Sequence, residues 1–177
     1  IDRWANRVLT KHFPERVRVP GHLPVDELID VILPREYGID SGVGELPAGI
    51  EGVCDPPNRL TISTTVYAGI VDNPRERFTG AHEAVHALLH LPELKRRFES
   101  VPVRLHRRDE IPAYLDPEWQ ANYGAAALLM PVILVSQMVA MGVRHPEQLA
   151  DAFGVSQRAA EIRLNDALEG RLGGISL

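Results

Sequence analysis

The chain contains a single cysteine, Cys54, in 177 residues. No internal disulfide can form, so the expected setting is the reducing cytoplasm. Cys54 has no partner motif and reads as a packed or half-exposed thiol rather than a nucleophile. Long apolar runs are missing too: no stretch approaches the roughly 20 residues that a membrane-spanning helix needs. The opening "IDRWANRVLTKHF" is charged and amphipathic, unlike a signal peptide. An excess of positive charge is absent. The formal net charge of −5 argues against a general binder of nucleic acid or membrane surfaces. Neither an internal repeat nor a low-complexity segment is apparent.

What remains is a composition suited to a packed core, 45% hydrophobic and 24% charged. The length is typical of one domain. "DRWANRVLTKHF" and "VDELIDVIL" have helical spacing, the second closed by Pro34. Residues 38 to 58 carry the turn signals "SGVG", "PAG" and "DPPN". The short pieces "GIEGVC", "RLTIST" and "VYAGIV" read as strands of a small meander. From residue 73 onward the pattern is mostly helical.

The most informative stretch is "RFTGAHEAVHALLHL", residues 77 to 91, in which His82, Glu83 and His86 form H-E-x-x-H. Asn73 is placed to cap this helix, Pro74 to open it and Glu76 to complete a capping box. Phe78, Ala81, Val85, Leu88 and Leu89 make an apolar stripe at helical spacing. His82 and His86 lie one turn apart beside that stripe, so both imidazoles can converge on one metal ion. Glu83 is offset by about 100°, which sends it past the metal towards a bound water.

The motif alone is only suggestive; it needs a third ligand. Extension to a distant third histidine would require Gly at 89 and His at 92, where the chain has Leu89 and Pro92. His90 is one further turn along, and three ligands spread over two turns cannot all face one tetrahedral centre. It reads as a helix-end or core histidine. The remaining option is a carboxylate from a second helix, and "DPEWQANYGAAALLMP", residues 116 to 131, supplies it. Asp116 caps, Pro117 opens the helix, and Glu118 falls in its first turn. An acid there is also what the helix dipole alone favours. Asn122, at i+4 from Glu118, can hold the outer N–H of a ligand imidazole.

Taken together, "RFTGAHEAVHALLH", "PEWQANYGAAALLMP" and "LADAFGVSQRAAEIRL" resemble, in order and over about residues 58 to 168, the ImmA/IrrE family of bacterial zinc metallopeptidases. The resemblance implies that His82, His86 and Glu118 bind Zn2+ and that Glu83 is the general base. It implies a substrate that is a helix-turn-helix transcriptional repressor, cleaved in mobile-element or stress-response control. The fold it implies is α+β: a small β-sheet beside the active helix, then a helical C-terminal part. We expect a metallopeptidase domain over 1–143, with a helix-turn-helix-like segment, 144–177, packed on it. Two positions depart from the family pattern. Ala84-Val85 stands where Leu-Gly is usual, and Gly124 where Phe is usual. We expect the two changes to compensate in volume across packed helices.

Residues 149 to 164 read as helix, turn, helix. The second helix carries Arg158 and Arg163 but also Glu161 and Asp166, so structural support or protein docking is a better expectation than reading DNA. The segment from Lys95 to Arg108 is strongly basic and reads as a solvated connection, in preference to a substrate-facing collar near the site. A donor for the tetrahedral oxyanion is not singled out; Tyr114, Tyr123 and His106 stand as unranked candidates. An extended substrate is expected to add as a strand to a sheet edge within residues 59 to 71. The competing reading is a non-proteolytic regulatory module that binds protein or DNA and carries a structural metal. Glu83 argues against it, since a structural zinc has no use for a non-ligating base.

Overall fold

The computed structural model describes residues 1–100 and 115–172. His106 and Tyr114 lie outside the described residues, as do the side chains of the basic segment beyond Lys95. The architecture is α+β, a three-stranded sheet set against a mostly helical body. Among the described residues no single helix is long and apolar enough to cross a membrane.

Helix α1 (Asp2–His12) turns Ala5, Val8 and Leu9 inward, at the i, i+3, i+4 spacing of an amphipathic helix. A 3-10 turn (Pro14–Val17) leads towards α2 (Val25–Glu27), a π-helical turn (Leu28–Ile32) and α3 (Leu33–Tyr37). Pro34 therefore does not close the helix, contrary to expectation. It sits in the first turn of α3, directly after the wider turn, in which Leu33 N–H bonds to the Leu28 carbonyl. That irregularity accommodates a proline's missing donor and bulky ring. The helix stops instead at Gly38, whose φ is 64°. This is the left-handed cap that glycine adopts without strain.

The strands are β1 (Asp40–Gly44), β2 (Gly52–Asp55) and β3 (Arg59–Ser63), in the order β1-β3-β2. β1 runs parallel to β3 and β2 antiparallel to it, so the sheet is mixed and not a meander. "GIEGVC" and "RLTIST" contain strands as expected, but "VYAGIV" does not. Ser63 ends β3 and caps the next element, its Oγ accepting from Val66 N–H at 3.3 Å. Such a side-chain cap starts a helix, here α4 (Thr64–Gly69). The expected docking edge within residues 59 to 71 is corrected with it: β3 lies mid-sheet with Leu60 and Ile62 fully buried. The edge strand packed beside the metal-motif helix is β2.

Helix α5 (Pro74–Val85) packs on α4, β2 and β3 on one side and on α7 (Pro117–Leu129) on the other. Asn73 caps α5 by accepting from Arg75 N–H at 2.9 Å. Its own N–H bonds to the Gly69 carbonyl at 2.8 Å. The donor that a capping box would offer Glu76 is thus engaged by the preceding turn. α5 continues through a π-helical turn (His86–His90) into α6 (Leu91–Ser100). Both helices bury small residues, Ala81 and Ala84 on α5 and Ala121 and Ala125 on α7. Between them Gly124 faces Val85: a Cβ on Gly124 would stand 2.8 Å from Val85 Cγ1. The two departures from the family pattern meet there.

Helices α8 (Val132–Ala140), α9 (Pro146–Phe153) and α10 (Gln157–Leu168) follow. α9 and α10 form the helix-turn-helix-like element, turned at Gly154 (φ 63°) and restarted by the Ser156 cap. Arg163 on α10 is buried. It reaches Asp2 Oδ1 at 2.6 Å and the Met130 carbonyl at 3.2 Å, tying α1 and α10 to the end of α7.

Candidate metal centre

α5 and α7 present polar turns to one another, and the motif residues meet there. His82, His86 and Glu118 each offer a ligand atom, all within 4.8 Å of one another. The two Nε2 atoms stand 3.0 Å apart, and each is 3.4 Å from a different oxygen of Glu118. A tetrahedral shell with bonds of about 2.1 Å has donor-to-donor edges of about 3.4 Å. The group thus fits a tetrahedral divalent ion in size and in donor chemistry.

The surroundings favour the neutral form of His86. Burial and the neighbouring His82 hold His86 down at about 4, below the ordinary imidazole value. Outside the cluster, His82 Nδ1–H donates to Asn122 Oδ1 at 3.1 Å. That bond leaves Nε2 bare for an ion. Asn122 is brought to this position by the i+4 spacing from Glu118 on α7. Asp116 accepts from Glu118 N–H at 3.0 Å, fixing the turn that carries the third ligand atom.

Glu83 faces a cleft of about 360 Å³ that it shares with Gly49, Ile50, Glu51, Gly52, Phe78 and Thr79, and with His82, Glu118 and Asn122. Burial, then the charges of Glu118 and Glu51, push its carboxyl up to about 7. Such a group is poised to take and return a proton near neutrality. The opposite wall is backbone. A Cβ on Gly52 would lie 2.5 Å from the Glu83 carboxyl. β2 approaches this acid as closely as only glycine permits.

Of the oxyanion candidates, the described one points elsewhere. The Tyr123 hydroxyl donates to Asp2 Oδ2 at 2.7 Å, its ring stacks on Trp119, and it does not line the cleft. Burial and then the bond to Asp2 push its pKa up to about 12. Cys54 is half-buried on β2, its thiol also pushed up to about 12 by burial. A thiol held in that form is unreactive. Sequence reasoning misses the Gly49–Gly52 wall. Its turn signals mark a loop, but nothing local says which helix the loop will face.

Comparison with known proteins gives no match among curated proteins. A family model does match, the IrrE N-terminal-like domain of Peptidase_M78, over residues 70–165. That span covers more than half of the chain, including α5, α7, α9 and most of α10. The chain belongs to the IrrE N-terminal-like domain family, and with it to the metallopeptidases.

Proposed function

We propose that the protein is a cytoplasmic zinc-dependent endopeptidase that cleaves a helix-turn-helix transcriptional repressor at one exposed site and so relieves repression in mobile-element or stress-response control. The observation that carries the enzymatic part is the convergence of His82, His86 and Glu118 beside a half-buried Glu83 in an open cleft. The choice of repressor rests on the sequence resemblance.

His82 and His86, through Nε2, and Glu118, through a carboxylate oxygen, would hold the ion. When bound, zinc supplies Lewis acidity towards a peptide carbonyl and lowers the pKa of water. Glu83 takes the proton of the attacking water on a carboxylate oxygen and returns it to the leaving amine. Asn122 keeps the His82 ring in its ligating tautomer. Ile50 and Phe78 supply the apolar part of the cleft wall.

An extended peptide would lie along β2. Ser63 N–H bonds to the Glu51 carbonyl, so alternation along an antiparallel ladder turns the backbone groups of Gly52 and Cys54 to the free edge. Added-strand binding uses those groups for affinity and alternate side-chain pockets for specificity. It also requires the cleaved bond to lie in a loop, a linker or a transiently unfolded segment. Proline is tolerated on an edge strand where its missing donor faces outward. Cys54→Pro should therefore weaken substrate capture while zinc content stays as in Cys54→Ala.

The deciding experiment incubates the zinc-loaded protein with a helix-turn-helix repressor encoded beside it and maps the products by mass spectrometry. A single cut, absent with Glu83→Gln, is the expected result. Digestion of unfolded casein at many sites would contradict the specificity. The DNA-binding alternative gains nothing from the helix-turn-helix-like element. Arg163 is buried against Asp2, and Arg158 is paired with Glu161 at 2.8 Å.

A further inference from the structure

His90 lies one turn beyond the ligand pair and outside the group that can hold the ion. Both of its ring nitrogens are engaged. Nδ1 is 2.9 Å from His86 Nδ1, and Nε2 is 3.0 Å from Gln120 Oε1 on α7. The π-helical turn His86–His90 brings the two rings together, with centroids 4.9 Å apart. π-Helical turns inside α-helices are often found at functional sites.

The direction of these bonds follows from the last acceptor. An amide oxygen has no proton to give, so His90 Nε2 must donate to Gln120. A neutral imidazole carries one N–H, which leaves His90 Nδ1 as an acceptor. The proton between the two rings then belongs to His86 Nδ1, and His86 Nε2 is bare on the side where His82 Nε2 and Glu118 converge. The opposite arrangement would put a proton on His86 Nε2 and block it as a ligand.

We infer that His90 and Gln120 are positioning residues for metal binding: Gln120 sets the tautomer of His90, and His90 sets that of His86. α7 would then orient both ligand imidazoles with side-chain amides, His82 directly through Asn122 and His86 through His90. Ligand histidines generally hold their outer N–H on a carboxylate, carbonyl or water, and loss of such a partner costs about 10–100-fold in metal affinity. Here the partner is a third histidine, which accepts at Nδ1 in the tautomer that its Nε2–H bond to Gln120 favours. The inference rests on reading His82, His86 and Glu118 as the ligands.

The test measures zinc affinity by competition with a chromophoric chelator, and the protection of the His86 Nδ1–H from solvent exchange in the zinc-loaded protein by proton–nitrogen NMR. Wild type should bind one zinc and show a protected His86 Nδ1–H. His90→Leu should lose about 10–100-fold in affinity and expose that N–H to exchange. His90→Asn should recover most of the loss, because its Oδ1 occupies the place of Nδ1 and can only accept. Gln120→Leu, at the outer end of the chain of bonds, should give a smaller loss in the same direction. It serves as the test should His90→Leu fail to fold. Unchanged affinity in the folded His90 and Gln120 variants, or a freely exchanging His86 Nδ1–H in the zinc-loaded wild type, would overturn the relay while leaving the peptidase reading intact. A wild-type chain that binds no zinc would overturn the ligand assignment and the relay together.

Discussion

The two walls of the cleft are built from different materials. On the α5–α7 side the candidate ligands and base are side chains, placed by helical spacing and by two short caps. On the sheet side the contribution is backbone: β2 lies against Glu83 with Gly52 at the point of contact, and the loop before it lines the cleft. A wall of side chains loses a function when one atom group is removed. A wall of backbone loses it when an atom is added.

Substitutions on each wall should show that asymmetry. The largest effect is expected from Glu118→Ala, which removes a proposed ligand and should abolish stoichiometric zinc binding and activity together. Asp116→Ala is its control. Losing that cap should cost about 1 kcal/mol in denaturant melts, with zinc retained; the reverse pattern in metal analysis would mean the wrong carboxylate is assigned. Next, Glu83→Gln should lower proteolysis by about 10²–10⁴-fold, the usual worth of a general base, at unchanged zinc content. Wild-type turnover in that variant would defeat the assignment.

On the backbone wall, Gly52→Ala should fold and bind zinc but lose about 10²-fold in turnover, as expected when a reacting group is displaced by about 1 Å. A fully active Gly52→Ala protein would show that β2 and Glu83 yield to each other freely. The smallest effect belongs to the seam behind both walls. Gly124→Ala should cost about 1–3 kcal/mol of stability by overpacking against Val85. In a double-mutant cycle with Val85→Ala the two changes should couple by about 0.5–3 kcal/mol. Additive effects would break the volume exchange between these helices.

The same contrast explains what is legible in the sequence. H-E-x-x-H on a capped helix and Asp116-Pro117-Glu118 at the start of another are local patterns, and the helices and caps follow from them. Glu76 is the exception, since the donor it would accept is held by the Gly69 carbonyl. The sheet is less legible. "VYAGIV" has β-like composition, yet the Ser63 cap starts a helix there. β1 hides among turn signals because Gly42 and Gly44 lie within it and Val43 is exposed. Its strand character comes from pairing with the distant β3, Asp40 opposite Arg59 and Gly44 opposite Ser63.

Sequence alone sufficed to put His82, Glu83 and His86 on one capped helix and Glu118 in the first turn of another. Each depends on residues within a few positions of one another, where backbone geometry sets distance. Folding in three dimensions determined which strand became the free edge, that Gly52 would lie on Glu83, and that Val85 would meet Gly124. It also turned His90 from a helix-end histidine into a neighbour of both His86 and Gln120. Gly52 and Glu83, Val85 and Gly124, and His90 and Gln120 are each remote from one another along the chain. Their distances are set by how helices and strands pack, which no local periodicity records.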